Sequence, residues 1–264
     1  MNGLTRKLAL LCGTLLLLHA PHLFAEQSLA AVVAFNTYAR TLESRLARQH
    51  RSPDIFLALP GDPATRAQLR SGQLLIEQLT TPTTPGAILH HWRATAFVPN
   101  ATTADFEHLL QDFDAYPHNF APQILTSTVL SLTPSDTIAR LRTRQRHVIT
   151  VVLDTTYDVT FASLDTDHRY SISRSTRVDE IASPGTPSEH ALPPSDEHGF
   201  LYRLNSYWSY EQRDGGLYLQ IESLSLTRNI PRGLAWAVKP YLESIPRESL
   251  VFALTSARNA LHAH

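Results

Sequence analysis

Two long segments near the C-terminal end carry the clearest pattern of hydrophobic and polar positions in this chain. Residues 199 to 212 (GFLYRLNSYWSYEQ) and 217 to 227 (LYLQIESLSLT) are rich in the aromatic and branched side chains that favour strands. Asp214-Gly215-Gly216 lies between them, and glycine supplies the positive φ angles that a tight turn needs. The pattern predicts a hairpin of two long strands.

Further strands are predicted before this hairpin, because apolar and polar residues alternate there with a period of two. In residues 147 to 164, apolar side chains alternate with threonine and aspartate, so one face of the strand is polar and the sheet is antiparallel. The strands predicted outside the hairpin are residues 73 to 79, 88 to 98, 123 to 132, 137 to 146, 147 to 164 and 169 to 181.

Helices are predicted where apolar residues recur at spacings of three and four. Residues 27 to 49 and 103 to 113 have this stripe, and residues 116 to 120 form a short turn or a second small helix. A last helical segment opens at Pro231 and is interrupted at Pro240 and Pro246 before it ends as an amphipathic helix.

The first 25 residues are typical of a cleaved secretory signal. Arg6 and Lys7 precede eleven apolar or small residues, 8 to 18, and Ala25 offers a small residue for cleavage. A bilayer-spanning helix needs about 20 apolar residues, so we predict no stable membrane anchor. The expected protein is periplasmic or secreted, with residues 1 to 25 as leader, 26 to 87 as a helix and connector, and 88 to 264 as the main domain.

Composition excludes several classes of function. Removal of the leader takes away Cys12, the only cysteine, so thiolate and zinc–thiolate sites are excluded, and it leaves Lys239 as the single lysine that a Schiff base could use. The remaining 21 basic and 24 acidic residues (23 minus Arg6 and Lys7, against 24) suggest no nucleic-acid partner. No catalytic, metal or cofactor motif is present, and His90 and His91 should point to opposite faces of one strand.

The order strand, helix, short helix, six strands, helix from residue 88 onward resembles the START-like, or SRPBCC, helix-grip superfamily of lipid-transfer and polyketide cyclase-like proteins. Residues 90 to 99 (HHWRATAFVP), 199 to 208 (GFLYRLNSYW) and 245 to 250 (IPRESL) are similar to exported bacterial members without an assigned activity. The resemblance implies an α+β fold, in which a curved antiparallel sheet of about seven strands wraps around the C-terminal helix and encloses a cavity.

Seven residues are candidates for lining that cavity. Their side chains are either large aromatics that form a wall or polar groups on the strands; they are Tyr157, Arg174, Tyr202, Trp208, Tyr210, Glu222 and Trp236. A buried guanidinium or carboxylate needs a partner, either the other one or a ligand head group. Alternatively, the rings fill the core, Arg174 reaches the rim, and a bulge turns Glu222 outward.

The function expected from the resemblance is that of a carrier, which binds a hydrophobic or amphipathic, lipid-like small molecule without transforming it. One alternative is a cyclase- or dehydratase-like enzyme that uses Tyr157, Arg174 and Glu222 on an apolar substrate. Another is an envelope scaffold whose cavity is filled. An apolar void distinguishes the first two from the scaffold, and two convergent titratable groups inside the void would favour the enzyme. Protein partners are unknown.

Overall fold

A computed structural model describes residues 28 to 133, 136 to 146, 150 to 198, 200 to 229 and 235 to 262, with the backbone alone for 235 to 243. The helices are α1 (Leu29–Gln49), α2 (Pro63–Arg70), α3 (Thr103–Gln111), α4 (Tyr116–Asn119) and α5 (Ala235–His262). The strands are β1 (Leu75–Leu79), β2 (Ala87–Pro99), β3 (Ile124–Leu132), β4 (Asp136–Arg146), β5 (Thr150–Ser163), β6 (His168–Ala182), β7 (His190–Ala191), β8 (Arg203–Arg213) and β9 (Gly216–Arg228). Within these residues, no helix is long and apolar enough to cross a membrane.

The strands form one antiparallel sheet in the order β1-β2-β9-β8-β6-β5-β4-β3, and the short β7 pairs with β6. The predicted hairpin is confirmed as β8 and β9. Asp214 and Gly215, with φ angles of 58° and 77°, make its turn. A Cβ on Gly216 would lie 2.4 Å from the Val98 carbonyl oxygen, so the close approach of β2 requires glycine there.

Helices pack on both faces of this sheet and define them. The inner face meets α5 and α3 through a cluster that includes Trp92, Trp208 and Leu254. The outer face meets α1 through a second cluster that includes Phe35 and Tyr207. Because side chains alternate along a strand, neighbouring residues belong to different layers. The predicted α+β helix-grip architecture is confirmed, with an additional helix on the outer face.

The C-terminal helix differs from its prediction, because α5 runs through both Pro240 and Pro246 without a break. A proline inside a helix removes one backbone hydrogen bond and crowds the preceding turn. Packing of Leu250, Leu254 and Ala257 in the inner cluster holds this helix against the sheet despite that cost. Local propensity is overridden here by tertiary contacts.

The connector contains more structure than its proline content predicted. Helix α2 was not predicted, although Asp62 caps it by accepting a hydrogen bond from the Thr65 backbone nitrogen at 2.7 Å and Pro63 occupies its first turn. The predicted strand at residues 73 to 79 is confirmed as β1, and it extends the main sheet beyond β2. The boundary of the main domain at residue 88 stays a prediction.

Candidate functional site

A cavity of about 270 Å³ lies between the inner face of the sheet, α5 and the small helices α3 and α4. Its walls are largely apolar, and they include Leu110, Phe113, Phe120, Val159, Phe161 and Leu250. Every lining residue that the structure describes is uncharged at neutral pH. The volume is close to the lower end of the range for small-molecule pockets, about 300 to 1,000 Å³.

Small hydroxyl side chains line the part of this cavity that β6, β8 and β9 form. Ser173 on β6 lies opposite Ser206 on β8, and Ser206 lies opposite Ser223 on β9, so three serines form one row across three adjacent strands. Ser171 and Ser225 flank this row, and all five line the cavity. The space exists because small residues occupy the positions where larger side chains would fill it.

Tyr157 and Tyr116 contribute the phenol groups of the lining. Burial raises the pKa of Tyr157 to about 12, with a hydrogen bond to Thr155 opposing that effect. Burial also raises the pKa of Tyr116, whose hydroxyl donates to the Leu110 carbonyl oxygen at 2.7 Å. Both phenols therefore stay protonated at neutral pH, and Tyr157 lines the cavity as the sequence predicted.

Trp208 also lines the cavity as predicted, and it packs edge-on against Phe106 of α3 at a ring distance of 5.1 Å. Phe200 lines the cavity too and remains 38% exposed, which places it at the mouth. The side chain of Trp236 lies outside the described residues. An aromatic wall is thus present. Of the three described aromatic candidates Tyr202, Trp208 and Tyr210, Trp208 alone belongs to it.

Tyr210 occupies the inner face as expected, but it fills the core instead of lining the cavity. Its ring packs against Phe106 at 5.0 Å, and its hydroxyl donates to Glu107 of α3 at 2.9 Å. Tyr202 was assigned to the wrong face. It precedes the start of β8 and packs with Leu226 in the cluster under α1.

Glu222 faces the opposite direction from its prediction. The register of β9 with β2 and β8 runs without a bulge, so Ile221 faces inward and Glu222 outward. There it accepts hydrogen bonds from Arg45 of α1 at 2.5 Å and His91 at 2.8 Å. Burial raises its pKa, but the His91 hydrogen bond and the Arg45 charge outweigh burial and hold the pKa below its usual value.

Arg174 also lies on the outer face, where its guanidinium donates to Glu43 of α1 at 2.8 Å. Its neighbours Ser171 and Ser173 face the cavity instead. Tyr170, Ile172 and Arg174 share a face as predicted, but that face is the outer one. A register shift opposite Thr156 and Tyr157 then ends this alternation, so Val178, which pairs with the cavity-lining Thr155, does not share the face of Arg174 as predicted. The two charged residues proposed for an enzyme therefore lie outside the cavity.

His50 completes the outer layer just beyond the end of α1. Its ring stacks on Tyr170 at 4.1 Å and shares a 2.7 Å hydrogen bond with the Ser209 hydroxyl. Burial, together with the nearby positive charge of Arg45, lowers the pKa of His50 to about 4. The histidine is neutral in the folded protein at physiological pH.

The architecture decides the fold type. The chain from β2 onward has the order strand, helices, antiparallel strands and C-terminal helix, and that helix lies across the inner face with a cavity beneath it. This is a START-like helix-grip fold. The predicted resemblance to that superfamily is therefore confirmed at the level of fold, and the scaffold alternative of a filled interior does not match the cavity.

Several solved structures are similar to this chain, at low sequence identity. A protein of Thermus thermophilus is 12% identical, with coverage of 66% of this chain and 97% of that one and a TM-score of 0.48. The STAR-related lipid transfer protein of Xanthomonas axonopodis is 15% identical, with coverages of 71% and 98% and a TM-score of 0.45. The Zhui aromatase/cyclase of Streptomyces sp. R1128 is 15% identical, with coverages of 66% and 94% and a TM-score of 0.47. No protein-family model matches the chain, and no curated protein does.

Proposed function

We propose that this protein binds a neutral, hydrophobic small molecule of lipid-like character in the cavity under α5, and that it holds this molecule without transforming it. The observation that carries the proposal is the cavity itself, about 270 Å³ with an apolar wall and an uncharged described lining. Apolar surface in a cavity of this kind gains free energy by excluding water, about 25 cal/mol for each Å² that a ligand covers.

The charge of the lining favours a neutral ligand over an anionic one. A carboxylate that enters an apolar cavity loses its hydration and needs a cation or several hydrogen-bond donors in compensation. Arg174, which the sequence suggested for that role, is engaged by Glu43 on the outer face. An uncharged ligand has no such requirement.

The same lining supports binding in preference to acid–base catalysis. A general base needs a pKa near the working pH, and the phenols of Tyr116 and Tyr157 are shifted upward, away from it. The protonated Tyr157 phenol can donate a hydrogen bond to a bound molecule, whereas the Tyr116 hydroxyl already donates to the Leu110 carbonyl oxygen and can only accept one. These groups suit the orientation of a bound molecule.

Export belongs to the same proposal, with residues 1 to 25 as a leader that is cleaved after Ala25. The order of charged, apolar and small residues in that segment supports it. The intact mass of protein recovered from the periplasm tests it, and a product that keeps residues 1 to 25 would contradict it.

Native mass spectrometry of the purified protein, followed by organic extraction, tests the binding function. We expect a bound mass that is released into the organic phase. In parallel, N-phenyl-1-naphthylamine should become fluorescent on binding, and Ser206→Leu should abolish that signal by filling the cavity. Ser131→Leu, at an exposed position on β3, is the control and should bind normally. No probe binding to the native protein would overturn the proposal.

A further inference from the structure

The serine row on the cavity floor has a feature that packing alone does not explain. Within the described part of the chain, the hydroxyls of Ser173, Ser206 and Ser223 have no hydrogen-bond partner. Their hydroxyls face the cavity, and neighbouring strands lie about 4.8 Å apart, so the row spans about 10 Å. Alanine would fill these positions equally well if small size were all that mattered.

The two flanking serines add a separate observation. Ser171 is 2% exposed and Ser225 is 7% exposed, and both line the cavity. Neither has a hydrogen-bond partner among the described residues. Their hydroxyl oxygens are not sealed inside the protein but open onto the cavity, where a polar group still needs a hydrogen-bond partner. Their position leaves the content of the cavity as the partner.

We infer that the hydroxyls of Ser173, Ser206 and Ser223, flanked by Ser171 and Ser225, are the subsite for an uncharged oxygen group of the ligand, such as an alcohol, ketone or ester. This inference rests on the proposed binding function and specifies its ligand class. A serine hydroxyl both donates and accepts, so it pairs with a carbonyl as well as with another hydroxyl.

The arrangement also sets the direction of the ligand. The hydroxyls lie on the sheet, whereas the apolar residues Phe113, Phe120 and Leu250 come from the opposite, helical side of the cavity. The oxygen group of the ligand therefore faces the serine row, and its hydrocarbon part contacts the helices and the apolar part of the sheet at Val159 and Phe161. A carboxylate is disfavoured because the described lining supplies no cation.

Competition against N-phenyl-1-naphthylamine tests this subsite with three ligands that share one carbon skeleton: decanol, decanone and decanoate at pH 8. On the native protein we expect decanol and decanone to bind at least about tenfold more tightly than decanoate. The triple variant Ser173→Ala, Ser206→Ala, Ser223→Ala should weaken decanol and decanone about tenfold, the effect of one or two hydrogen bonds, and leave the oxygen-free probe unchanged.

Two controls keep this test decisive. Ser131→Ala on β3 should leave all affinities unchanged. If the triple variant does not fold, Ser206→Ala alone should weaken decanol about threefold, and Ser206→Thr, which keeps the hydroxyl, should weaken it less.

The outcomes separate the subsite from the binding function. Equal decanol affinity in the native and alanine proteins, or decanoate binding as tight as decanol, overturns the serine subsite and leaves the cavity as a binding site. Failure of the native protein to bind the probe overturns both.

Discussion

The inner and outer faces of one sheet have opposite characters in this molecule. The outer face is filled and charged, since α1 covers it with a buried apolar cluster and places Arg45 on the buried carboxylate of Glu222. The inner face is partly hollow, and its described cavity lining is uncharged. Adjacent residues of one strand, such as Ile221 and Glu222, serve these two roles. The buried carboxylate of Glu222 therefore marks the face that α1 covers, and the row of serines marks the face that carries the cavity.

Substitutions in α1 should give the largest loss of stability, because this helix closes the filled face. Leu46 is 2% exposed, and Leu46→Ala should cost about 2 to 5 kcal/mol through lost burial and a new cavity. Leu29, at 79% exposure on the same helix, is the matched control, and Leu29→Ala should change stability by less than about 0.5 kcal/mol. Urea unfolding measures both. Equal losses would show that α1 is not docked on the sheet.

Acid should destabilise the outer face through His50. Its pKa falls from 6.5 in the unfolded chain to about 4 in the folded protein, so the unfolded state binds a proton first as pH drops. The stability that the neutral His50 contributes is fully present above pH 6.5. The free energy of unfolding should then decline between pH 6.5 and 4, by at most about 3 kcal/mol. The pKa of Glu222 is also lowered in the folded protein, so the free energy of unfolding should fall further as the pH drops through that pKa.

His50→Gln removes the titrating group and should flatten the stability profile in this range. His190→Gln, at an exposed position, is the control and should leave the profile unchanged. Thermal melts at several pH values measure both. A profile that keeps its slope in His50→Gln would assign the acid sensitivity to other groups.

The same substitution on the two faces of β8 should have different effects. Ser209 is buried on the outer face, where its hydroxyl shares a 2.7 Å hydrogen bond with His50. Ser209→Leu should therefore cost about 1 to 3 kcal/mol by overpacking. Ser206→Leu places its extra methyl groups in the cavity and should cost less than about 0.5 kcal/mol. Comparable losses in denaturant melts would mean that the inner face is as tightly filled as the outer one.

The smallest effect is expected at Arg174. Its ion pair with Glu43 is partly exposed, and such pairs contribute about 0 to 1 kcal/mol. Because this pair lies on the opposite face of the sheet from the cavity, Arg174→Ala should leave probe affinity within about twofold of native. Trp208→Ala, in the cavity wall, should weaken probe binding and lower the melting temperature. Fluorescence titration with anionic and neutral amphiphiles checks this. Selective loss of anionic binding in Arg174→Ala would restore the role that the sequence suggested.

The alternation of side chains made the strands and their hairpin predictable, since it is a local property of the sequence. The assignment of faces was not predictable in the same way. Glu222 lies outward because the alternation continues past the inward Ile221, so its predicted place in the cavity broke the alternation. Arg174 obeys the alternation, but only the docking of α1 decides that its side of the sheet is the outer one. That contact joins segments far apart in sequence, and periodicity does not report it.

The cavity posed a different difficulty. The sequence predicts large aromatic residues in its lining, yet Tyr210 fills the core and Tyr202 packs under α1. A void forms where side chains are small, so the informative positions were the serines at 173, 206 and 223. The available signal was their alternation with bulky residues in β6, β8 and β9. Tyr157 and Trp208 were found because they lie on the inner face beside these small residues.

The position of α1 in the chain has a consequence for the order in which the molecule assembles. Arg45 and its partner Glu222 are separated by 177 residues, and β9, which carries Glu222, also pairs with β2 near the start of the sheet. During synthesis, α1 emerges early, and its apolar face stays uncovered until the last strand is complete. Contacts of such long sequence separation make folding slow, because loop closure costs entropy before any contact forms. The native state is thus reached only when nearly the whole chain is available.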